Sequence, residues 1–412
     1  MKKITKNNER GQALVIIALA AVALFAFAAL AIDGSNVFSD RRHAQNAADT
    51  SAMAAALTKI RNGTWEADGL ARAASNGYDD NGTSNEVSIY SPPIDGIYAG
   101  NSQYVQVKII SHVNTFFARV IGIPQVTNRV EAVTRAMPSA ITPLFGGNAV
   151  VGLAPHDCKA VVYQGNANTT VTGSGIFANS DCADAAFFNN SSSADLTVPC
   201  LTSVGGITYN PGSVNVSGGC ISSGAAPYPY PPENFYLPNV VCPTGGSQSG
   251  NTLNPGTYSG QFPPSGVTVL SSGVYCVNGD FRVNANQTLT GNGVFIVMQS
   301  GDVFFNGSAT INLSAIPGPM NPDTNPYGGL LIYMPMSNSG NITINGNSGS
   351  SFTGTILAPS ADIAISGTGG TGFHGQIIGY TVDLSGTSDT SIVYNNNDNW
   401  NPLIPAQLQI AQ

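Results

Sequence analysis

Acidic side chains recur through the carboxyl-terminal two thirds of this 412-residue sequence, and some are spaced so that they could act together. Asp280 and Asp302 stand 22 residues apart, and Asp362, His374 and Asp383 follow. Carboxylates brought side by side can do general acid–base work or hold a hard cation such as calcium, which makes Asp280 and Asp302 the candidate metal ligands. His156-Asp157-Cys158 places an imidazole, a carboxylate and a thiol together, but in no nucleophile motif. Six cysteines, Cys158, Cys182, Cys200, Cys220, Cys242 and Cys276, all lie in this part of the chain. None falls in a C-x-x-C or Cys/His pattern of the kind that binds zinc. No residue is assigned a catalytic role and no cofactor is implied.

The elements that position these groups are read from a short phrase that recurs. It appears as Asn168-Thr-Thr-Val171, Asp195-Leu-Thr-Val198, Ser213-Val-Asn-Val216, Asp280-Phe-Arg-Val283 and Asp302-Val-Phe-Phe305. It continues as Asn341-Ile-Thr-Ile344, Asp362-Ile-Ala-Ile365 and Thr381-Val-Asp-Leu384. The second and fourth positions are almost all apolar while the third varies, so two side chains face inward and the one between them faces out. Spacings of 22, 21 and 19 residues, with further short strands between, describe three strands and three turns per coil of a parallel, right-handed β-helix. A Gly after Asn or Ser is expected to supply the turn. Residues 225–243, rich in Pro and Tyr, and 317–329 interrupt the array as side loops, expected to pack over the sheet or bind a partner.

Within such coils Asp280 and Asp302 would sit about 5 Å apart, repelling by about 1 kcal/mol in water and more when partly buried. Calcium could neutralise them, and so could turn amides; Asn341 and Thr381 at the same place in the phrase favour amides. Six cysteines allow fifteen pairings. Separations near one coil favour Cys158 with Cys182 and Cys200 with Cys220, leaving Cys242 with Cys276. β-Helices of this kind resemble polysaccharide lyases and hydrolases, yet lyase chemistry needs cationic stabilisation of an enolate. Arg282 is the only arginine in the repeats.

At the other end of the chain, residues 13–32 form twenty positions without charge, proline or glycine, eleven of them Leu, Ile, Val or Phe. As a helix this stretch would span about 30 Å, the thickness of a bilayer's hydrocarbon core. Lys2, Lys3, Lys6 and Arg10 precede it against Arg41 and Arg42 beyond, which orients the amino terminus inside and everything after the span outside. A cleaved signal peptide, with Ala29-Leu30-Ala31 as its site, is the competing reading; the apolar run is longer than the usual h-region. Of the 15 Lys and Arg residues, only Lys159 and Arg282 lie beyond residue 137, so the exported part is strongly acidic. That composition excludes a nucleic-acid footprint.

Between the two parts, residues 35–62 continue as helix, with Ala44, Ala48, Ser51, Ala55 and Thr58 on a narrow stripe. The stripe suits close approach of another helix, although alanine is also simply the best helix former. An amphipathic segment at 65–74 and strands at 87–90, 104–113 and 126–136 make a small α/β module, in which Tyr104, Gln106 and Lys108 alternate outward with Val105, Val107 and Ile109.

Arg10-Gly11-Gln12-Ala13, the apolar span, Asp33-Gly34, Phe38, Arg41-Arg42 and Gln45-Asn46-Ala47-Ala48-Asp49-Thr50-Ser51-Ala52 together resemble the amino-terminal region of TadG-like proteins of Tad/Flp pilus assembly. Thr115-Phe116-Phe117-Ala118-Arg119-Val120-Ile121-Gly122 is similar to a second stretch of that family. Ile16 stands where a processed prepilin usually carries Glu, so a retained anchor is expected. The chain thus divides into 1–62 (basic end, span and helical extension), 63–137 (module), 138–150 (linker), 151–395 (β-helix) and 396–412 (tail or cap). The resemblance implies a single-pass cytoplasmic-membrane protein with a structural or adhesive role, partnered by the bilayer and by pilus-assembly proteins. A pilus-independent adhesin binding surface glycans, and a glycan-cleaving enzyme, are the alternatives.

Overall fold

The computed structural model describes residues 10–164, 168–188, 195–347, 349–367, 371–385 and 389–411; Lys2, Lys3, Lys6 and Gly386 lie outside them. The chain separates into two compact units, Met1–Ala140 with Pro405–Gln412, and Ile141–Ile404.

The first unit is built on one helix, α1 (Arg10–Ile60), whose 51 residues contain no proline. Its amino-terminal stretch is apolar all round and, among the described residues, nothing packs on it: of large side chains there, Leu14, Ile17, Leu24, Phe25 and Phe27 are all exposed. A helix with that surface needs a protein core or a membrane around it, and it is long and apolar enough to cross one. Further along, Ala44, Ala47, Ala48, Ala52, Ala55 and Ala56 are fully buried. They meet Val105, Val107, Ile109, Val130 and Ala132, which belong to an antiparallel sheet of β1 (Asn85–Tyr90), β2 (Tyr104–Asn114) and β3 (Gln125–Met137). The alanine stripe also receives α2 (Trp65–Ser75), where a Cβ on Gly69 would stand 3.0 Å from Ala55 Cβ. Small side chains therefore let α1 lie close to both neighbours.

Two expectations for this unit are corrected. Gln106, read as an outward strand residue, is fully buried, because its side-chain amide donates to Asp95 Oδ1 (2.6 Å) and Glu131 Oε1 (2.7 Å) and its carbonyl accepts the Ile94 N–H. A polar side chain with three partners can be buried without the usual desolvation cost. The tail, too, is more than a cap: its strand Gln407–Ile410 pairs antiparallel with β3, from Thr134↔Ile410 to Met137↔Gln407.

The second unit is a parallel β-solenoid of about ten turns with three walls. In one wall the strands Phe281–Val283, Val303–Phe305, Ile342–Gly346, Ile363–Gly367 and Val382–Asp383 stack in register, and every second- and fourth-position side chain from Phe281 to Leu384 is buried. The phrases at 168, 195 and 213, though alike in sequence, stack in a different wall, Thr169 on Leu196 on Val214. Period two sets which side chain faces inward; it does not set which wall a strand joins. The glycines that end the phrase differ in part from expectation, while those that follow Asn278 and Ser300 meet it. Gly346 lies inside its strand, whereas Gly279 and Gly301, just before Asp280 and Asp302, take positive φ (145° and 85°). A Cβ on Gly279 would meet Gly260 O at 2.1 Å, and one on Gly301 would meet Gly279 O at 2.4 Å, so adjacent coils could not approach there with any other residue.

Stacking order does not follow chain order. The last coil, with Ile377–Gly379, Val382–Asp383 and Thr390–Val393, pairs with Val150–Gly152, Val161–Tyr163 and Thr169–Thr172, which begin the unit. From there coils continue to Val214–Ser222; the chain then restarts at 248 at the opposite end of the stack and climbs back to 393. Residues 225–243 are therefore the return connection along the stack and no side loop. They descend in sequence: the buried Asn179 amide pairs with the Tyr228 backbone (2.7 and 3.0 Å), Tyr230 meets Tyr380, the Tyr327 hydroxyl donates to Asn239 O, and Cys242 bonds to Cys276. The wall beneath is buried on both faces, which explains the unbroken apolar strands Leu330–Tyr333, Thr355–Ala358 and Ile377–Gly379.

Ile344, fully buried between Phe305 and Ile365, and half-buried Thr343 on the outer face test the phase. Ile344→Asp is expected to cost several kcal/mol by placing an unpaired charge in a dry core, and Thr343→Asp no more than about 0.5 kcal/mol, read by denaturant unfolding of the full chain. Removing the Cys242–Cys276 bond by the double Ser variant reopens a 34-residue separation. A loss of about 3 to 4 kcal/mol and new proteolytic cleavage within 225–243 are expected.

Candidate functional site

The residues of α1 that carry the family resemblance converge on its attachment to the module. Asp33 is buried at the end of the apolar stretch, and its carboxylate accepts three backbone N–H groups: Phe116 to Oδ1 (2.8 Å), and Phe117 and Ala118 to Oδ2 (2.9 and 2.7 Å). These amides open the 3₁₀ turn Ala118–Ile121, where unpaired donors and an anion suit one another. Burial alone would raise the Asp33 pKa; the amides of Ala118, Phe116 and Phe117 outweigh it and hold the carboxyl below its ordinary 3.8.

Two turns on, Asp40 gathers three separate elements. Its Oδ1 accepts the hydroxyls of Ser111 (3.0 Å) and Tyr78 (3.1 Å), and its Oδ2 accepts the Asn128 amide (2.7 Å). Burial and the Asp40 carboxylate push the Tyr78 hydroxyl pKa far up, keeping it a donor. Gln45 then donates to Asp49 Oδ1 and to the Glu131 carbonyl, both at 2.9 Å. Asp33, Asp40 and Gln45 thus tie α1 to the module with polar contacts beside the alanine face. Sequence reasoning marked Asp33 and Gln45 only through the family resemblance; Asp40 was missed, since nothing local distinguishes an aspartate whose partners lie 38, 71 and 88 residues away.

In the solenoid Asp280 and Asp302 stack on adjacent coils, as their spacing suggests, and turn amides bind them. Asp280 Oδ1 accepts the Asp302 N–H (3.1 Å) and Asp302 Oδ1 accepts the Asn341 N–H (2.8 Å), so each side chain is bound by the amide of the next coil. The Thr381 hydroxyl donates to Asp362 in the same column (2.6 Å). The Asp302 amide and then the Arg282 guanidinium hold the Asp280 carboxyl below its ordinary range. Asp383 aligns instead with Ala364, one column over, and His374 lies in another wall. Arg282 is spent on Asp280 and the Phe304 ring. Among the described residues no three His, Cys, Asp or Glu side chains gather as a metal site would require. His156 reaches Asp181 (3.0 Å) at the exposed surface, while neighbouring Cys158 is bonded to Cys182. Cys200 is joined to Cys220, so two bonds follow the pairing that coil spacing suggests, and Cys242–Cys276 is the pair that remained.

This is a protein with a helix long and apolar enough to cross a membrane, an α/β module docked on that helix, and a disulfide-bonded β-solenoid. Residues 11–58 match the Tad family, described as "Putative Flp pilus-assembly TadE/G-like", so the amino-terminal segment is Tad-like. No curated protein matches the sequence. A likeness is found to the crystal structure of the competence-associated pilin ComZ from Thermus thermophilus, at 10% identity over 81% of this chain and 86% of that one; its TM-score of 0.30 does not establish a common fold.

Asp33→Ala should speed amide hydrogen exchange at Phe116, Phe117 and Ala118 and leave the solenoid unchanged. Because the folded pKa of Asp33 is depressed, its contribution is present above 3.8 and is lost as pH falls through the lower folded value. Protection of these amides should therefore persist at pH 5 and fail only in stronger acid.

Proposed function

We propose that this protein is a single-pass, membrane-anchored structural component of Tad/Flp-type pilus assembly that carries its β-solenoid outside the cytoplasmic membrane. The observation that supports this most is the coincidence of the family match with the geometry. Residues 11–58 contain the unpacked apolar helix, and also Asp33, Gln45 and the alanine face by which that helix holds its module. The work of such a segment would be mechanical: a rigid helix, continuous between bilayer and module, transmits position and load. The amide-bound acids and the engaged Arg282 favour a structural role for the solenoid over glycan cleavage.

A second reading has its own observation. A shallow groove on one wall is lined by Thr290, Asn292, Asn312, Ser314, Ser351 and Thr353, uncharged groups suited to sugar hydroxyls. Affinity purification from native membranes, after protease is added outside the cytoplasmic membrane in a parallel sample, separates the readings. Recovery of Tad/Flp assembly proteins, and a protected membrane fragment ending near residue 62, are expected. Selective binding on a glycan array without pilus proteins would replace the proposal with an adhesin, and a mature chain beginning at Ile32 would remove the anchor.

A further inference from the structure

The loop that Asp33 holds presents an apolar surface that the module leaves uncovered. Phe116 is 69%, Val120 87% and Ile121 70% exposed, and Phe117 and Ile123 beside them are exposed as well. Monomeric proteins rarely leave five large apolar side chains together in water. Their position relative to the helix is fixed, because the amides of Phe116, Phe117 and Ala118 all lie within 2.9 Å of the Asp33 carboxylate. Asp33 directly follows Ile32. If residues 13–32 fill the roughly 30 Å of the hydrocarbon core, Asp33 stands at its outer boundary and the loop at the same level.

We infer that residues 116–123 enter the outer leaflet's interfacial layer and form a second membrane contact beside the helix. This rests on the anchoring read above. Aromatic and aliphatic side chains would lie at the boundary, exposed Arg119 would meet lipid phosphate, and the Asp33 carboxylate would be shielded by the three amides. A bilayer is favoured over a protein partner as occupant by continuity with the span: Leu30 and Ile32, in the last apolar turn of α1, are exposed too. Two contacts on one rigid body would fix the tilt of the module against the membrane, which one helix leaves free.

The test uses full-length protein in vesicles of phosphatidylcholine and phosphatidylglycerol carrying nitroxide lipids, with tryptophan placed at one exposed position at a time. Val120→Trp probes the loop, Phe25→Trp the span, and Ile97→Trp, in the β1–β2 connection at the far end of β2 about 33 Å away, serves as the exposed control. Emission is read against the parent, which has Trp65 and Trp400. Blue-shifted Val120→Trp emission, mostly lost to a shallow nitroxide while Ile97→Trp is unaffected, is the expected result. Quenching of Val120→Trp no greater than that of Ile97→Trp, with Phe25→Trp quenched by a deep nitroxide, would overturn the inference and leave the patch to a protein partner. An unquenched Phe25→Trp would overturn the anchor itself, and the inference with it.

Discussion

The solenoid segment leaves the α/β module and returns to it at neighbouring points of one sheet, and much of the fold follows from that constraint. Met137, at the end of β3, is paired with Gln407, where the chain comes back. Within the solenoid the first coil is paired with the last, Val150 with Ile377 and Val161 with Val382. A simple coil wound from one end to the other would separate its termini by the length of the stack, about 45 Å for ten turns at strand spacing. Adjacent termini instead require the stack to be built outward from its middle, with a return connection. Residues 225–243 are that connection, and their prolines and tyrosines are the material of an extended strap with no backbone ladder of its own.

The strap and the wall depend on one another. Strands apolar on both faces would expose a large patch if left bare; Tyr228, Tyr236 and Val240 cover Phe145, Phe177 and their neighbours, joined from the other side by Trp400 and Tyr327. Inside, an aromatic ladder runs through Phe262, Phe281, Phe305, Phe352 and Phe373 with centroids 4.8 to 5.8 Å apart. With few charges available, polar satisfaction falls to Asp and Asn side chains that accept amides from the coil above. The edge strand Val214–Ser222 has its pairing interrupted by a register shift beside Cys200, which is bonded to Cys220; both features discourage further strands from adding there.

Helix α1 presents two kinds of surface along one backbone. Toward its amino terminus it offers bulky apolar side chains in every direction; past Asp33 it narrows to alanine on one face and carries Asp40 and Gln45 beside it. The change falls where the first buried carboxylate appears, and there the module begins to pack.

Length, composition and period were enough to read the long apolar helix, the module strands, the inward pair of each coil and the two disulfides that join adjacent coils, because each is local or repeats along the chain. A run of twenty apolar residues has few fates, and alternation fixes a strand's buried face wherever the strand lies. The order of coils in space, the strap, the wall that each phrase joins, the burial of Gln106 and the role of Asp40 were decided by tertiary structure. Phrases as similar as Asp195-Leu-Thr-Val198 and Asp302-Val-Phe-Phe305 carry the same phase but no address. The address is set by which backbone edge is free when the coil closes, and by partners as far as 232 residues away, as where the Gln376 side-chain amide donates to the Leu144 carbonyl. Hydrogen bonds of that reach leave no mark on the sequence around either residue.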